Sequence, residues 1–262
     1  MADDADVHVE HDASGIATVT LHNPTRRNAV TFAMWCKLAE IFGGFRERAD
    51  VRAVILTGSG GNFSAGADIS EFPRLRSTQE GIKAYGEAGH AATIAIRDLP
   101  QPTLAAVTGY GVGGGCGLAL ACDFRVGDET TRMGIPAAKR GIVYSVLDSQ
   151  NLLRTVGLPR AKLVLYSARL FPLHACRAMG LIDEVGEDGA LAAARRLAQE
   201  LAACAPLSQR GAKLTLEALA REDVPARLGE IMAAQKRAAD SEDYREATAS
   251  FIEKRRPVFR GR

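Results

Sequence analysis

The sequence predicts an α/β fold with a core over residues 1–187 and a helical region over residues 188–262, and three observations carry that reading. Two apolar runs, Val51–Thr57 and Thr103–Thr108, are nearly continuous and rich in β-branched residues, as strands covered on both faces require. Each run breaks into a glycine-rich turn and then into a helical pattern. From Gly189 onward the composition shifts to Ala, Leu, Glu and Arg at helical spacing, which sets a soft boundary near Val185–Asp188.

The elements follow in order. Val7–Glu10 and Ile16–Leu21 alternate about Asp12-Ala13-Ser14-Gly15 and predict a hairpin. Thr31 is placed to cap a helix reaching Arg48, with Phe32, Trp35, Leu38, Ala39 and Phe42 on its core face. After the strand at 51–57 come a turn at Gly58–Asn62, a small-residue stretch at Phe63–Ile69 and a short helix over Ser70–Leu75. Gln79–Arg97 is helical in pattern and ends before Pro100 and Pro102. The strand at 103–108 opens into five glycines between Gly109 and Gly115 and a helix over Cys116–Ala121. Asp123–Val126 reads as a strand, and Arg132–Pro136 as extended chain ahead of its proline. Helices are expected over Ser145–Val156, Pro159–Ser167 and within Leu170–Met179, with a short strand at Leu181–Val185. Four more are expected at Ala190–Ala203, Leu207–Arg221, Pro225–Asp240 and Ser241–Arg255.

A chain of 262 residues, 47% hydrophobic and with net charge +2, suits one large domain and gives no sign of nucleic-acid or membrane binding. Five scattered cysteines without a C-x-x-C pair argue for reduced thiols and a cytoplasmic setting. The acidic start MADDADVHVE carries no apolar stretch of an export signal. The five histidines sit in no metal-ligand spacing, so no metal is expected. Ser64 lacks the glycine context of a nucleophile elbow and reads as a turn residue. Cys116 stands at a helix start, where a thiol can be activated, but a buried free cysteine is usually a small apolar residue.

The chemistry concentrates in the two glycine turns. Loops at the carboxyl ends of parallel strands form the ligand crevice, and a helix N-terminus presents unpaired N–H groups. Two such loops can each aim one amide at a common oxygen, an oxyanion hole; the alternative is two ordinary tight turns. Gly109–Gly114 also satisfies G-x-G-x-x-G, a weak match to the dinucleotide fingerprint that keeps a remote NAD(P)-dependent oxidoreductase reading open.

Phe63-Ser64-Ala65-Gly66-Ala67-Asp68-Ile69 and Gly109–Cys116, about forty residues later, resemble the crotonase, or enoyl-CoA hydratase/isomerase, family. Asn23-Pro24…Asn28-Ala29, Ala53–Gly58, Cys122-Asp123-Phe124, Ala178–Val185 and Phe251–Arg255 extend the likeness over nearly the whole chain. The resemblance implies a crotonase-like core, a spiral of ββα repeats, with a C-terminal helical trimerisation region. It implies an acyl-CoA substrate, coenzyme A entering as part of the substrate with no separate cofactor, and a homotrimer, often paired into a hexamer. It places the thioester oxygen on the N–H groups of Ala67 and Gly114. It places coenzyme A against Ala65, Gly66, Asp68, Ile69 and Gly113, with Arg26 or Arg27 near the phosphates.

One departure bears on the reaction. Hydratases of the family carry two glutamates that handle water and proton. The corresponding positions here are Gly117 and Ala137, so efficient hydration by that route is not expected. Tyr144, Ser145 and Asp148 are the expected replacements, with hydrolysis, decarboxylation or isomerisation as the reaction; Glu71 and Glu87 are further carboxylates in the region. A non-catalytic acyl-CoA binder is the competing reading.

Overall fold

The computed structural model describes residues 5–262; Met1–Asp4, part of the acidic start, lie outside the described residues. Strands β1 (Asp6–His11) and β2 (Ile16–His22) form the hairpin, with Val9 opposite Val19. The Asp12 carboxylate closes its turn by accepting from the Ser14 and Ile16 amides at 2.8 and 3.0 Å. Helix α1 (Phe32–Phe45) starts at Thr31, whose hydroxyl accepts from the Met34 amide at 3.2 Å. β3 (Ala53–Gly58) leads through the first glycine turn to a 3-10 turn at Ile69–Glu71, α2 (Phe72–Leu75) and α3 (Gln79–Arg97).

β4 (Thr103–Val107), β5 (Tyr110–Val112), α4 (Gly114–Ala121), β6 (Phe124–Gly127) and β7 (Arg132–Gly134) follow. After a 3-10 turn at Pro136–Arg140 come α5 (Val146–Val156), α6 (Leu158–Ser167), β8 (Phe171–Pro172), α7 (Leu173–Met179) and β9 (Glu184–Val185). The chain ends in α8 (Ala190–Ala202), α9 (Pro206–Ala220), α10 (Val224–Ala239) and α11 (Glu242–Glu253).

The main sheet has the order β1-β2-β3-β4-β6-β9 and is parallel from β2 onward. A second sheet, β5-β7-β8, stands beside it. The unbroken apolar runs are explained by burial on both faces. Val54 and Leu56 of β3 join the core with Leu38 and Phe42 of α1 and Leu118 of α4. Ala53 and Ile55, alternating with them, pack on the other face with Ala190, Ala193, Ala194 and Ala198 of α8. A stripe of alanines on α8 lets that helix lie close to the sheet.

Two sequence expectations change. Tyr110–Val112, read as part of the glycine turn, is strand β5, pairing parallel to β7 with Gly111 opposite Met133. Three residues between glycines are too few to show an alternating pattern. The dinucleotide fingerprint therefore does not form one strand-to-helix turn, because a strand runs through it. Leu181 and Ile182 are buried but not paired as strand; they follow the left-handed cap Gly180 into the core, and only Glu184–Val185 pair.

α9 is tied to the core by charge. Lys213 Nζ lies 2.7 Å from Asp123, Arg154 lies 3.6 Å from Glu217, and Arg221 pairs with both Asp98 and Glu217. Among the described residues no helix is long and apolar enough to cross a membrane, and the five cysteines are unpaired.

Candidate active site

The two glycine loops leave the carboxyl ends of the adjacent parallel strands β3 and β4. They continue the sheet as paired chain. The Phe63 amide donates to Thr108 O at 2.7 Å, the Ser64 amide to Tyr110 O at 2.7 Å, and the Val112 amide to Ser64 O at 2.9 Å. On its other side the first loop is pinned to the residues before α1. The Val30 amide donates to Gly66 O at 2.7 Å and the Asp68 amide to Val30 O at 2.9 Å. Ser64 has the turn role expected of it: its hydroxyl donates to Asn28 O at 2.7 Å and accepts from the Gly66 amide at 3.1 Å.

Two adjacent amides are not among these bonds. Among the described residues the N–H groups of Ala67 and Gly114 donate to no protein acceptor. They are neighbours: a Cβ built on Gly114 would lie 3.4 Å from Ala67 N, and one built on Gly66 would lie 3.1 Å from Gly114 N. The glycines are required for that approach. Gly66 has φ +96°, and a Cβ there would sit 2.6 Å from Val112 O; at Gly115 it would sit 2.5 Å from Ser64 O. Gly114 is the first residue of α4, a helix without a side-chain cap, so the positive end of the helix adds to the field at this point. The ring of Trp35, read from sequence as core, closes one side of the pair, 3.2 Å from a Cβ at Gly114.

The missing glutamate's space is filled. A Cβ at Gly117 would lie 2.9 Å from the Tyr144 hydroxyl and 3.2 Å from Asp148 Oδ1. The Tyr144 hydroxyl donates to Gly113 O at 2.9 Å, and the Gly117 amide donates to the same oxygen at 3.0 Å. That carbonyl belongs to the peptide unit whose N–H is Gly114's, so two donors polarise it from behind. Ser145 caps α5: its hydroxyl donates to Asp148 Oδ2 at 2.6 Å and accepts from the Asp148 amide at 3.0 Å. Asp148 Oδ1 has no hydrogen bond among the described residues and faces Gly117. Burial raises the Asp148 carboxyl above its ordinary value, against the lowering by the Ser145 hydroxyl and the His90 charge. Burial, then the neighbouring Asp148, hold Tyr144 well above its ordinary value, so its hydroxyl stays protonated. Ala137 sits in the 3-10 turn and supplies no carboxylate.

The remaining candidates separate. Arg26 is held at 3.2 Å by Asp68, which is 4% exposed, and by the Ser70 hydroxyl. Arg27 is exposed, its guanidinium 4.9 Å over the Tyr110 ring. Ile69 is 51% exposed and Ala65 donates its amide to Arg27 O at 2.8 Å, so the loop edge is open to a ligand. Gly113, φ +55°, gives its amide to Gly134 O at 2.9 Å. The Glu71 carboxylate accepts from the Phe32 amide at 2.7 Å, capping α1, and its other oxygen faces Arg74 at 3.8 Å. Glu87 is exposed beside Lys83 at 3.7 Å. Burial pushes the Cys116 thiol up to about 12, the opposite of an activated nucleophile. No cluster of three or more His, Cys, Asp or Glu among the described residues is arranged for a metal. Two clefts of about 680 and 630 Å³ flank α9, but neither is lined by Ala67, Gly114 or Asp148; unpartnered donors, rather than cavity size, mark the site.

Known proteins resemble the chain in sequence and in fold. Residues 11–262 match the family model described as Enoyl-CoA hydratase/isomerase. A Thermus thermophilus protein described as a putative enoyl-CoA hydratase is 37% identical, over 96% of this chain and 100% of that one. The short-chain-enoyl-CoA hydratase of Clostridium acetobutylicum is 32% identical over 92% of each. The crystal structure of an enoyl-CoA hydratase from Bacillus anthracis superposes with a TM-score of 0.91 at 28% identity, covering 98% of this chain and 99% of that one. A chain with these two loops, this sheet and these relatives belongs to the enoyl-CoA hydratase/isomerase family.

Proposed function

We propose that the protein is an acyl-CoA enzyme in which the Ala67 and Gly114 amides hold a thioester oxygen as it becomes negative, and Asp148 moves the proton. The adjacent, unpartnered amides at the head of α4 carry this reading. Each such donor supplies roughly 3 kcal/mol of transition-state stabilisation. Asp148 Oδ1 is the free carboxyl oxygen beside Gly117, with Ser145 holding the other oxygen. Tyr144, kept neutral and bonded to Gly113 O, strengthens the Gly114 donor rather than acting as a base. Arg27, exposed and free of ion pairs among the described residues, is the better placed of the two arginines for the CoA phosphates. Leu216, Leu219, Met232, Phe251 and Ile252 stand exposed on the C-terminal helices and are the surface on which a trimer would form.

With glycine at 117 and alanine at 137, isomerisation or decarboxylation through an enolate, or hydrolysis through a tetrahedral oxyanion that expels CoA thiolate, is favoured over hydration. Purified protein should hydrate crotonyl-CoA far more slowly than a family member with both glutamates; comparable turnover overturns the assignment. It should also exchange the α-protons of butyryl-CoA for deuterium in D2O, and the Asp148→Asn variant should not. The same absent carboxylates favour a second reading, a binder that holds acyl-CoA without turnover. That reading requires affinity for CoA esters with neither exchange nor product from any of them.

A further inference from the structure

Beside the amide pair stands an aromatic wall that the proposed chemistry leaves unused. Tyr85 of α3 meets Phe72 of α2 edge-on at 5.4 Å and Phe32 of α1 at 6.0 Å between ring centres. The Tyr85 hydroxyl lies 3.4 Å from Val30 O, and Val30 is bridged to Ala67. The wall therefore abuts the loop that carries one of the two donors, while Trp35, one turn further along α1 from Phe32, lies against the other.

Arg76 lies against this wall. Its guanidinium carbon is 4.4 Å from the Phe72 ring centre and 5.9 Å from that of Tyr85, and the residue is half-buried. Among the described residues its side chain has no hydrogen bond and no ion pair. The nearby acids are already matched: Asp68 holds Arg26 and Ser70, and Glu71 takes the Phe32 amide and faces Arg74 at 3.8 Å. A guanidinium seated over the Phe72 ring with no hydrogen-bond partner among the described residues leaves its N–H edge available. That edge matches a carboxylate in a two-point bond.

We propose that Arg76 receives a carboxylate at the far end of the acyl group, so that the preferred ligands are CoA thioesters of dicarboxylic acids. This rests on the acyl-CoA reading above. A purely structural Arg76, covering the rings, gives no preference between mono- and dicarboxylic esters.

Calorimetric titration of the full chain with matched saturated esters tests it: succinyl- against butyryl-CoA, glutaryl- against valeryl-CoA, adipoyl- against hexanoyl-CoA, with free CoA alongside. In at least one pair the dicarboxylic ester should bind about tenfold tighter or more, the return expected from a charged hydrogen-bonded pair. Arg76→Gln should erase that gap while leaving the monocarboxylic affinity and the melting temperature near those of the parent. Arg76→Lys should keep part of it. Equal or weaker binding of the dicarboxylic ester in every pair, or a gap that survives Arg76→Gln, overturns the proposal and leaves the acyl-CoA reading standing. Binding of no ester and no CoA removes the reading and the proposal together.

Discussion

The two halves of the candidate site are built from different material. The donor half is main chain: two amides set by sheet-like bonds between the loops and by glycines whose neighbours leave no room for a Cβ. The half proposed to handle the proton is side chain: Tyr144, Ser145 and Asp148, where the chain enters α5 after a 3-10 turn. A donor made of backbone persists as long as the fold does. A proton carrier made of one side chain can be exchanged for another arriving from a different segment, as Asp148 stands where Gly117 leaves space. The stabilising power of such a site is thus a property of its architecture, and its reaction a property of a few replaceable groups.

The broadest effect, on activity and stability together, should come from the donor half. Gly66→Ala puts a methyl at a positive φ and 2.6 Å from Val112 O, so both loops must move. Loss of one aligned donor costs about 10²–10³-fold in kcat, and the melting temperature should fall with it. A variant that keeps activity and melting temperature defeats the steric account.

Asp148→Asn should lower kcat by about 10²–10⁴-fold, yet not lower stability at neutral pH. The Asp148 carboxyl titrates above its unfolded value near 3.8 because it is buried. Between that value and its raised one the folded chain binds more protons than the unfolded chain. Its contribution is therefore most favourable below this window and is lost as pH climbs through it. Asparagine removes that loss, so melting curves of variant and parent should converge toward acid pH and separate in the variant's favour near neutrality. The reverse ordering contradicts the assignment.

Ser145→Ala removes the hydroxyl that caps α5 and the bond that lowers the Asp148 carboxyl. It should cost about 1 kcal/mol of stability and move the Asp148 limb of the pH–rate profile to higher pH. A limb that stays put shows that another group titrates. Tyr144→Phe should be the mildest, about two- to tenfold in kcat, the worth of one neutral hydrogen bond, with the pH profile unchanged. A shifted profile would make Tyr144 itself the titrating group.

The two glycine turns of the donor half were legible in the sequence because glycine spacing, apolar strands and helix starts are local, whereas the choice of the Ala67 and Gly114 amides came from the family resemblance. Thr31 caps the helix it precedes, and α3 spans Gln79–Arg97 as its periodicity predicts. The other half was legible only as candidates. Which of Tyr144, Ser145 and Asp148 fills the space at Gly117 depends on a contact across more than twenty positions, and no local pattern encodes it. β5 hides for a different reason, being three residues long, and Arg76 for a third: an arginine closing a short helix looks the same whether or not it later meets a ring. Glu71 and Cys116 show the converse, residues of reactive type that the packing consigns to capping and burial.

The crowding at Gly117 also constrains how this lineage can change. A glutamate introduced there would bring its first side-chain carbon to 2.9 Å from the Tyr144 hydroxyl before its carboxylate found any room. A glutamate there requires the Tyr144 and Asp148 side chains to turn aside. Position 117 is therefore coupled to 144 and 148, since a change at any of the three alters the room left for the other two.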